Sequence, residues 1–121
     1  MKMKILVVED NSDMVDMLQM TLEHWGYDSI VAKNIKEAVD MADYQLPDLI
    51  LLDISLPEMD GFEAARQIRQ NPKTHSTPIL AVTAKVFPKD REECLRKGCN
   101  DHLAKPFTLE ELASKIEKLL T

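Results

Sequence analysis

Short apolar runs alternate with longer amphipathic stretches from one end of the chain to the other, the pattern of repeated βα units around a parallel sheet. The runs at residues 5–8 (ILVV), 49–52 (LILL) and 79–82 (ILAV) are continuous rather than alternating, as strands covered on both faces must be. These are the expected central strands. Residues 28–31 and 101–103 are weaker and flanked by polar groups, which places them toward the sheet edges.

Helix signals fill the gaps. Asn11 is positioned to cap a first helix whose Met14, Val15, Leu18, Leu22 and Trp25 form one stripe, with Gly26 as a left-handed stop. Thr108 and Glu111 stand in capping-box spacing ahead of a last helix that buries Leu109, Leu112, Ile116 and Leu119 or Leu120. Between them the pattern predicts helices over 35–42, 61–70 (closed by Asn71 and Pro72) and 88–97 (closed by Gly98). The expectation is one α/β domain over 1–121 with five strands and five helices.

Length and charge narrow the function. A chain of 121 residues holds one core and leaves no room for a second module. Fifteen basic against 21 acidic residues give a net charge of −6, which opposes the counterion release that drives nucleic-acid binding. Direct contact with DNA or RNA is not expected. The N-terminal apolar run is too short for a signal peptide or a membrane span, and Cys94 and Cys99 do not make a disulfide framework. A cytoplasmic setting with no membrane partner follows. Met1 just ahead of the first strand and a last helix reaching Thr121 favour a stand-alone chain.

In an open parallel sheet, ligands bind beyond the carboxyl ends of the strands, where strand order reverses. Glu9 and Asp10 end the first strand, Asp53 the third and Thr83 the fourth, while Lys105 follows the fifth. Three carboxylates converging on one crevice repel one another unless a cation neutralises them. Oxygen-rich strand ends without cysteine or histidine suit Mg²⁺, or Mn²⁺, better than Zn²⁺. The metal and Lys105 would stabilise a transferring phosphoryl group and Thr83 would donate a hydrogen bond to it. Asp53, central and fixed by a buried strand, is the expected nucleophile. Glu9 and Asp10 form the metal-holding pair. The product would be an aspartyl phosphate.

The stretches 5–11 (ILVVEDN), 47–61 (PDLILLDISLPEMDG), 78–84 (PILAVTA) and 104–107 (AKPF), in this order and spacing, resemble the receiver domain of bacterial two-component response regulators over the whole chain. The resemblance implies a flavodoxin-like, CheY-like doubly wound fold with sheet order 2-1-3-4-5. It further implies phosphorylation by a sensor histidine kinase or a histidine phosphotransfer protein, and a downstream protein target in a signalling system. It matches Asp53 to the phosphoacceptor, Asp10 to the more direct Mg²⁺ ligand, Glu9 to one acting largely through water, and the Ser55 backbone carbonyl to a third protein oxygen. Thr83 and Lys105 match the residues that hold the phosphoryl oxygens, and the Lys105-Pro106 bond matches a cis peptide. Ser55 and Lys85 match the positions that tune dephosphorylation.

One position departs from the pattern. The family usually carries Tyr or Phe where this chain has His102, an aromatic whose inward rotation accompanies movement of the Thr; histidine is smaller, polar and titratable near neutrality. Phosphorylation is expected to draw Thr83 inward, with His102 as its switch partner, and to reshape the surface of the fourth helix, fifth strand and fifth helix. A phosphorylation-dependent dimer is compatible with that surface. On the first helix Asp13, Met17, Met20 and His24 group on the flank away from the core, so two methionines are offered to a partner groove.

Other chemistries fit less well. Cys94, Cys99 and His102 supply three ligands at a spacing no common zinc pattern uses. A Mg²⁺-dependent phosphohydrolase with Asp53 as nucleophile is the enzymatic alternative, but it needs a second acid/base carboxylate and usually a cap over the substrate. A flavin binder needs a phosphate-cradling loop where this chain has Glu9 and Asp10. The chain therefore reads as a signalling phosphoprotein rather than a metabolic catalyst.

Overall fold

The structure is a computed structural model. It describes residues 2–54, 61–84 and 88–121, with the side chains of 61 and 88–91 left aside. The expected Ser55 carbonyl and Lys85 therefore lie outside the described residues. The elements run β1 (Lys4–Val8), α1 (Ser12–His24), β2 (Asp28–Ala32), α2 (Ile35–Gln45), β3 (Leu49–Asp53), α3 (Gly61–Gln70), β4 (Ile79–Thr83), α4 (Pro88–Arg96), β5 (Asp101–Ala104) and α5 (Leu109–Leu120). All strand pairs are parallel and the sheet order is β2-β1-β3-β4-β5. The chain thus winds outward in one direction from β1 to β2 and in the other from β3 to β5. Strand order reverses between β1 and β3.

The continuous apolar runs fold as their pattern requires. Every residue of β3 and β4 is buried, as are Ile5, Leu6, Val7 and Val8 of β1, because helices cover both sheet faces. Alternation along the strands divides the core into two layers. Leu6, Val8, Ile50, Leu52, Ile79 and Ala81 pack toward α2, α3 and α4. Ile5, Val7, Leu49, Leu51, Leu80 and Leu103 pack toward α1 and α5. Each fully buried leucine or isoleucine contributes roughly 1.5–3 kcal/mol relative to exposure, so the sheet centre is a rigid platform. The weaker runs β2 and β5 are indeed the edges.

The predicted caps form. Asn11 Oδ1 accepts from the Met14 amide, and Thr108 with Glu111 closes a reciprocal capping box. Gly26 and Gly98 adopt φ of +91° and +106°, left-handed values that only glycine reaches without strain. Trp25 is the C-cap of α1 and packs on the same core layer as Met14, Leu18 and Leu22. Two details differ from the sequence expectation. Met17 is half-buried against the α1/α5 core layer, because that layer wraps further round α1 than a narrow stripe allows, and only Met20 stands out, at 72% exposure. Leu109 is 49% exposed, since the first turn of α5 faces α1 rather than the sheet, across a recess it shares with Met20, Thr21 and Trp25. Among the described residues no helix is long and apolar enough to cross a membrane.

One ion pair fastens α5 to the edge strand. Lys115 Nζ lies 3.1 and 3.0 Å from the two oxygens of buried Asp101. Burial pushes the Asp101 pKa up, but the Lys115 ammonium and the His102 amide outweigh it and leave the carboxyl below its ordinary value. A depressed carboxyl supports folding above the unfolded value of about 3.9 and loses that support as pH falls through the folded value. Lys115→Met is therefore expected to cost about 1–2 kcal/mol at pH 7, by leaving a buried carboxylate without its cation. The deficit from wild type in urea denaturation should shrink as pH falls below the ordinary carboxyl range and Asp101 becomes protonated. A deficit independent of pH would refute the assignment.

Candidate functional site

The reversal of strand order opens a crevice at the carboxyl ends of β1 and β3, and its residues are set by ladder register. The amide of Glu9 extends the β1 ladder by donating to Ala32 O at 3.0 Å, and Asp53 pairs in register with Val82. Glu9 follows Val7, Asp53 follows Leu51 and Lys105 follows Leu103 at a spacing of two, so all three share the sheet face that packs on α1 and α5. Together with Val7, Val82 and Phe107 they line an interior crevice of only about 10 Å³. That space admits about one water. The site is thus closed from below and addressed from the strand ends.

Lys105 Nζ donates to Asp53 Oδ2 at 2.7 Å and to Glu9 Oε2 at 3.2 Å. Both carboxylates are 3% exposed. Burial, then the hydrogen bond with Asp53, pushes the Glu9 pKa up against the opposing pull of the Asn11 amide and Lys105. For Lys105, burial acts downward, but the hydrogen bond and charge of Asp53 outweigh it and hold the ammonium above its ordinary value. Among the described residues, the two buried carboxyl groups share the Lys105 ammonium, and Asp10, next in sequence to Glu9, is exposed.

Thr83 ends β4 and is completely buried; its carbonyl accepts from the Lys105 amide at 2.7 Å. Because Ile79 and Ala81 face α2, α3 and α4, Thr83 belongs to that layer, opposite the Glu9, Asp53 and Lys105 side. His102 pairs in register with Ala81, two residues before the Ala104 that pairs with Thr83, so it shares that layer. Its Nδ1 lies 3.9 Å from Asp101 Oδ1. The structure therefore brings Glu9, Asp53 and Lys105 into direct contact and sets Asp10 on the lip and Thr83 at the adjoining strand end. The Lys105-Pro106 peptide is cis, as the resemblance implied.

Sequence reading did not foresee that Lys105 holds Glu9 as well as Asp53. The face parity of positions 7 and 9, 51 and 53, and 103 and 105 carried that information. Nor did it foresee the role of the Asn11 backbone, whose amide donates to Glu9 Oε1 at 3.2 Å while its side chain caps α1. Outward from Lys105, a cleft of about 400 Å³ is bounded by Asn11, Asp13, Met14 and Met17.

The donor set fits a hard divalent cation: Glu9 and Asp53 supply buried, crowded oxygen ligands, and Mg²⁺ takes one or two carboxylates and keeps several waters. Among the described residues no three histidine, cysteine or acidic side chains form a ready-made metal cluster.

Comparison with known proteins agrees with this geometry. The response regulator receiver domain family profile matches residues 5–117. The chain is 41% identical over 117 residues to an uncharacterized 14.6 kDa protein of Leptolyngbya boryana, covering 97% of this chain and 89% of that one. It is 41% identical over 120 residues to the alkaline phosphatase synthesis transcriptional regulatory protein PhoP of Bacillus subtilis, covering 99% of this chain but 49% of the regulator. The chain therefore spans about half the length of that transcriptional regulator. The receiver domain of a sensor histidine kinase from Pseudomonas aeruginosa, crystallised with a magnesium ion coordinated in its active site cleft, superposes with a TM-score of 0.89 at 38% identity, covering 99% of this chain and 98% of that one. The chemotaxis protein CheY4 of Vibrio cholerae gives a TM-score of 0.93 at 31% identity, covering 99% and 100%. Sheet order, strand-end acids and sequence relatives converge on one conclusion: the chain belongs to the response regulator receiver domain family and has a phosphoacceptor role in signalling.

Proposed function

We propose that Asp53 is the phosphoacceptor and that its phosphorylation, with Mg²⁺ bound by Asp10, Asp53 and, through water, Glu9, switches the binding of a downstream protein. The observation that carries this reading is the Lys105 ammonium, 2.7 Å from Asp53 Oδ2 at the end of a wholly buried strand. The metal, when bound, supplies positive charge for the carboxylates and for the transferring phosphoryl oxygens. The chain's own groups do the rest. Asp53 is fixed in direction by β3, and Lys105 stands where negative charge develops. The Thr83 hydroxyl, on the neighbouring strand, serves as a donor to a phosphoryl oxygen. Attack by an Asp53 carboxylate oxygen on phosphorus breaks the bond from phosphorus to the donor and leaves an acyl phosphate.

His102 takes the place of the usual aromatic switch residue beside Thr83. The Ser55 carbonyl completes the metal ligands, and Ser55 and Lys85 set the phosphoryl lifetime. The donor is a sensor histidine kinase or histidine phosphotransfer protein that approaches over α1. The cleft running from Lys105 along Met14 and Met17, and the exposed Met20 and Leu109 beyond it, support that direction of approach. The setting is cytoplasmic. The similarity to response regulators and receiver domains does not favour the phosphohydrolase alternative.

Incubation with Mg²⁺ and a small acyl phosphate should add one phosphoryl group by intact mass, and Asp53→Asn should abolish the gain. Lys105→Ala should slow it by about 100-fold, the scale of losing one charge-stabilising donor. No gain in folded wild type with Mg²⁺ would refute the assignment.

Because Met17 belongs partly to the core, Met20→Asp is the cleaner probe of donor docking. It should slow transfer from a phosphohistidine donor by about tenfold, the cost of roughly 1.4 kcal/mol at an interface position. Reaction with the small acyl phosphate should be unchanged, and equal slowing of both would refute docking through this patch.

A further inference from the structure

We infer that the groove between α3 and α4 binds a short acidic segment of a partner protein, at a place separate from the phosphoacceptor crevice. The groove encloses about 520 Å³. Phe62, Arg66 and Arg69 line it from α3, and Arg96 and Lys97 from the end of α4. It lies on the α2, α3 and α4 side of the sheet, whereas Glu9, Asp53 and Lys105 line the other side.

The protein carries −6, yet four cations and one acid, Glu63, line this groove. Two have carboxylate partners: Arg66 is held by Glu63, and Lys97 Nζ lies 3.2 Å from Glu93 Oε1. The other two do not. Arg69 donates to Gly98 O at 3.1 Å, Thr74 O at 3.2 Å and Asn100 Oδ1 at 2.8 Å, all neutral acceptors. It is half-buried, and loss of hydration pushes its pKa down. Arg96 is exposed and makes no ion pair among the described residues. Two positive charges are therefore left over. Arg69, pinned between α3, the following turn and the start of β5, keeps its geometry without a ligand.

Shape decides what kind of anion fits. Positions 62 to 69 of α3 span about 10 Å of helix axis, close to the length of three extended residues. Arg66 and Arg69 stand three apart on one helix face, with Cβ atoms about 5–6 Å apart. Carboxylates on alternate residues of an extended segment recur every 6–7 Å or so along one face. Such a segment can meet Arg69 with one carboxylate, reach Arg66 with the next in exchange for Glu63, and set an apolar side chain on Phe62, whose ring lies 4.9 Å from Lys97 Nζ. A single inorganic anion would fill a small part of the groove and leave Phe62 without a role. Two surplus charges on a chain of net −6 are too few for nucleic acid.

The test is titration of the ¹⁵N-labelled chain with a short peptide alternating Glu with Ala and ending in Phe. Saturable amide shifts should concentrate in residues 62–70 and 96–98 and weaken as salt is raised. The double variant Arg66→Gln, Arg96→Gln should bind about five- to tenfold more weakly, while its thermal unfolding and its phosphorylation by a small acyl phosphate stay as in wild type. Absence of saturable binding, shifts centred elsewhere, or equal shifts with a peptide in which Lys replaces Glu would overturn the proposal. So would inorganic phosphate or pyrophosphate producing the same shifts at the same concentration, because the groove would then be a site for small anions.

Discussion

Two buried carboxyl groups within hydrogen-bonding reach of each other need a cation or a shared proton, and the ammonium of Lys105 reaches both at the ends of three strands. It reaches Asp53 at 2.7 Å and Glu9 at 3.2 Å from a residue far along the chain. Much of the architecture serves to bring these groups together. Parallel pairing aligns the strand ends, reversal of order between β1 and β3 opens the crevice, and period-two alternation turns all three side chains to one face. Burial and the hydrogen bond with Asp53 raise the Glu9 pKa in spite of the ammonium. Crowded buried oxygens of this kind suit a hard divalent ion.

Much of the fold was legible because its signals are local. Continuous apolar runs marked the central strands, and polar-flanked runs marked the edges. Asn11, Thr108, Glu111, Gly26 and Gly98 marked helix ends through capping and left-handed backbone geometry. The misread positions are those whose burial depends on tertiary reach. Met17 is half-buried because the layer between α1 and α5 is wider than one stripe, and Leu109 is exposed because it opens its helix beside α1. A helical wheel carries neither fact.

The site was legible as a set of residues but less so as a set of contacts. Strand-end position alone grouped Glu9, Asp10, Asp53, Thr83 and Lys105. It did not say that Lys105 would touch Glu9, that the Asn11 amide would hold the other Glu9 oxygen, or that Arg69 would tie α3 to the chain on either side of β4. Each depends on distances across the sheet or between layers. A single sequence encodes those only through register, and register becomes known when the strands are paired.

The alternation that turns Asp53 toward one helical layer turns Thr83, one register step further along the next strand, toward the other. The crevice lies in one compartment and Thr83, at the adjoining strand end, opens the other, the two being otherwise separated by the close-packed sheet. A change in charge at that rim is therefore next to both compartments at once. The cost of communication between the two sides is then set by a few side chains at the edge, and the stability of the sheet and its responsiveness can be adjusted independently.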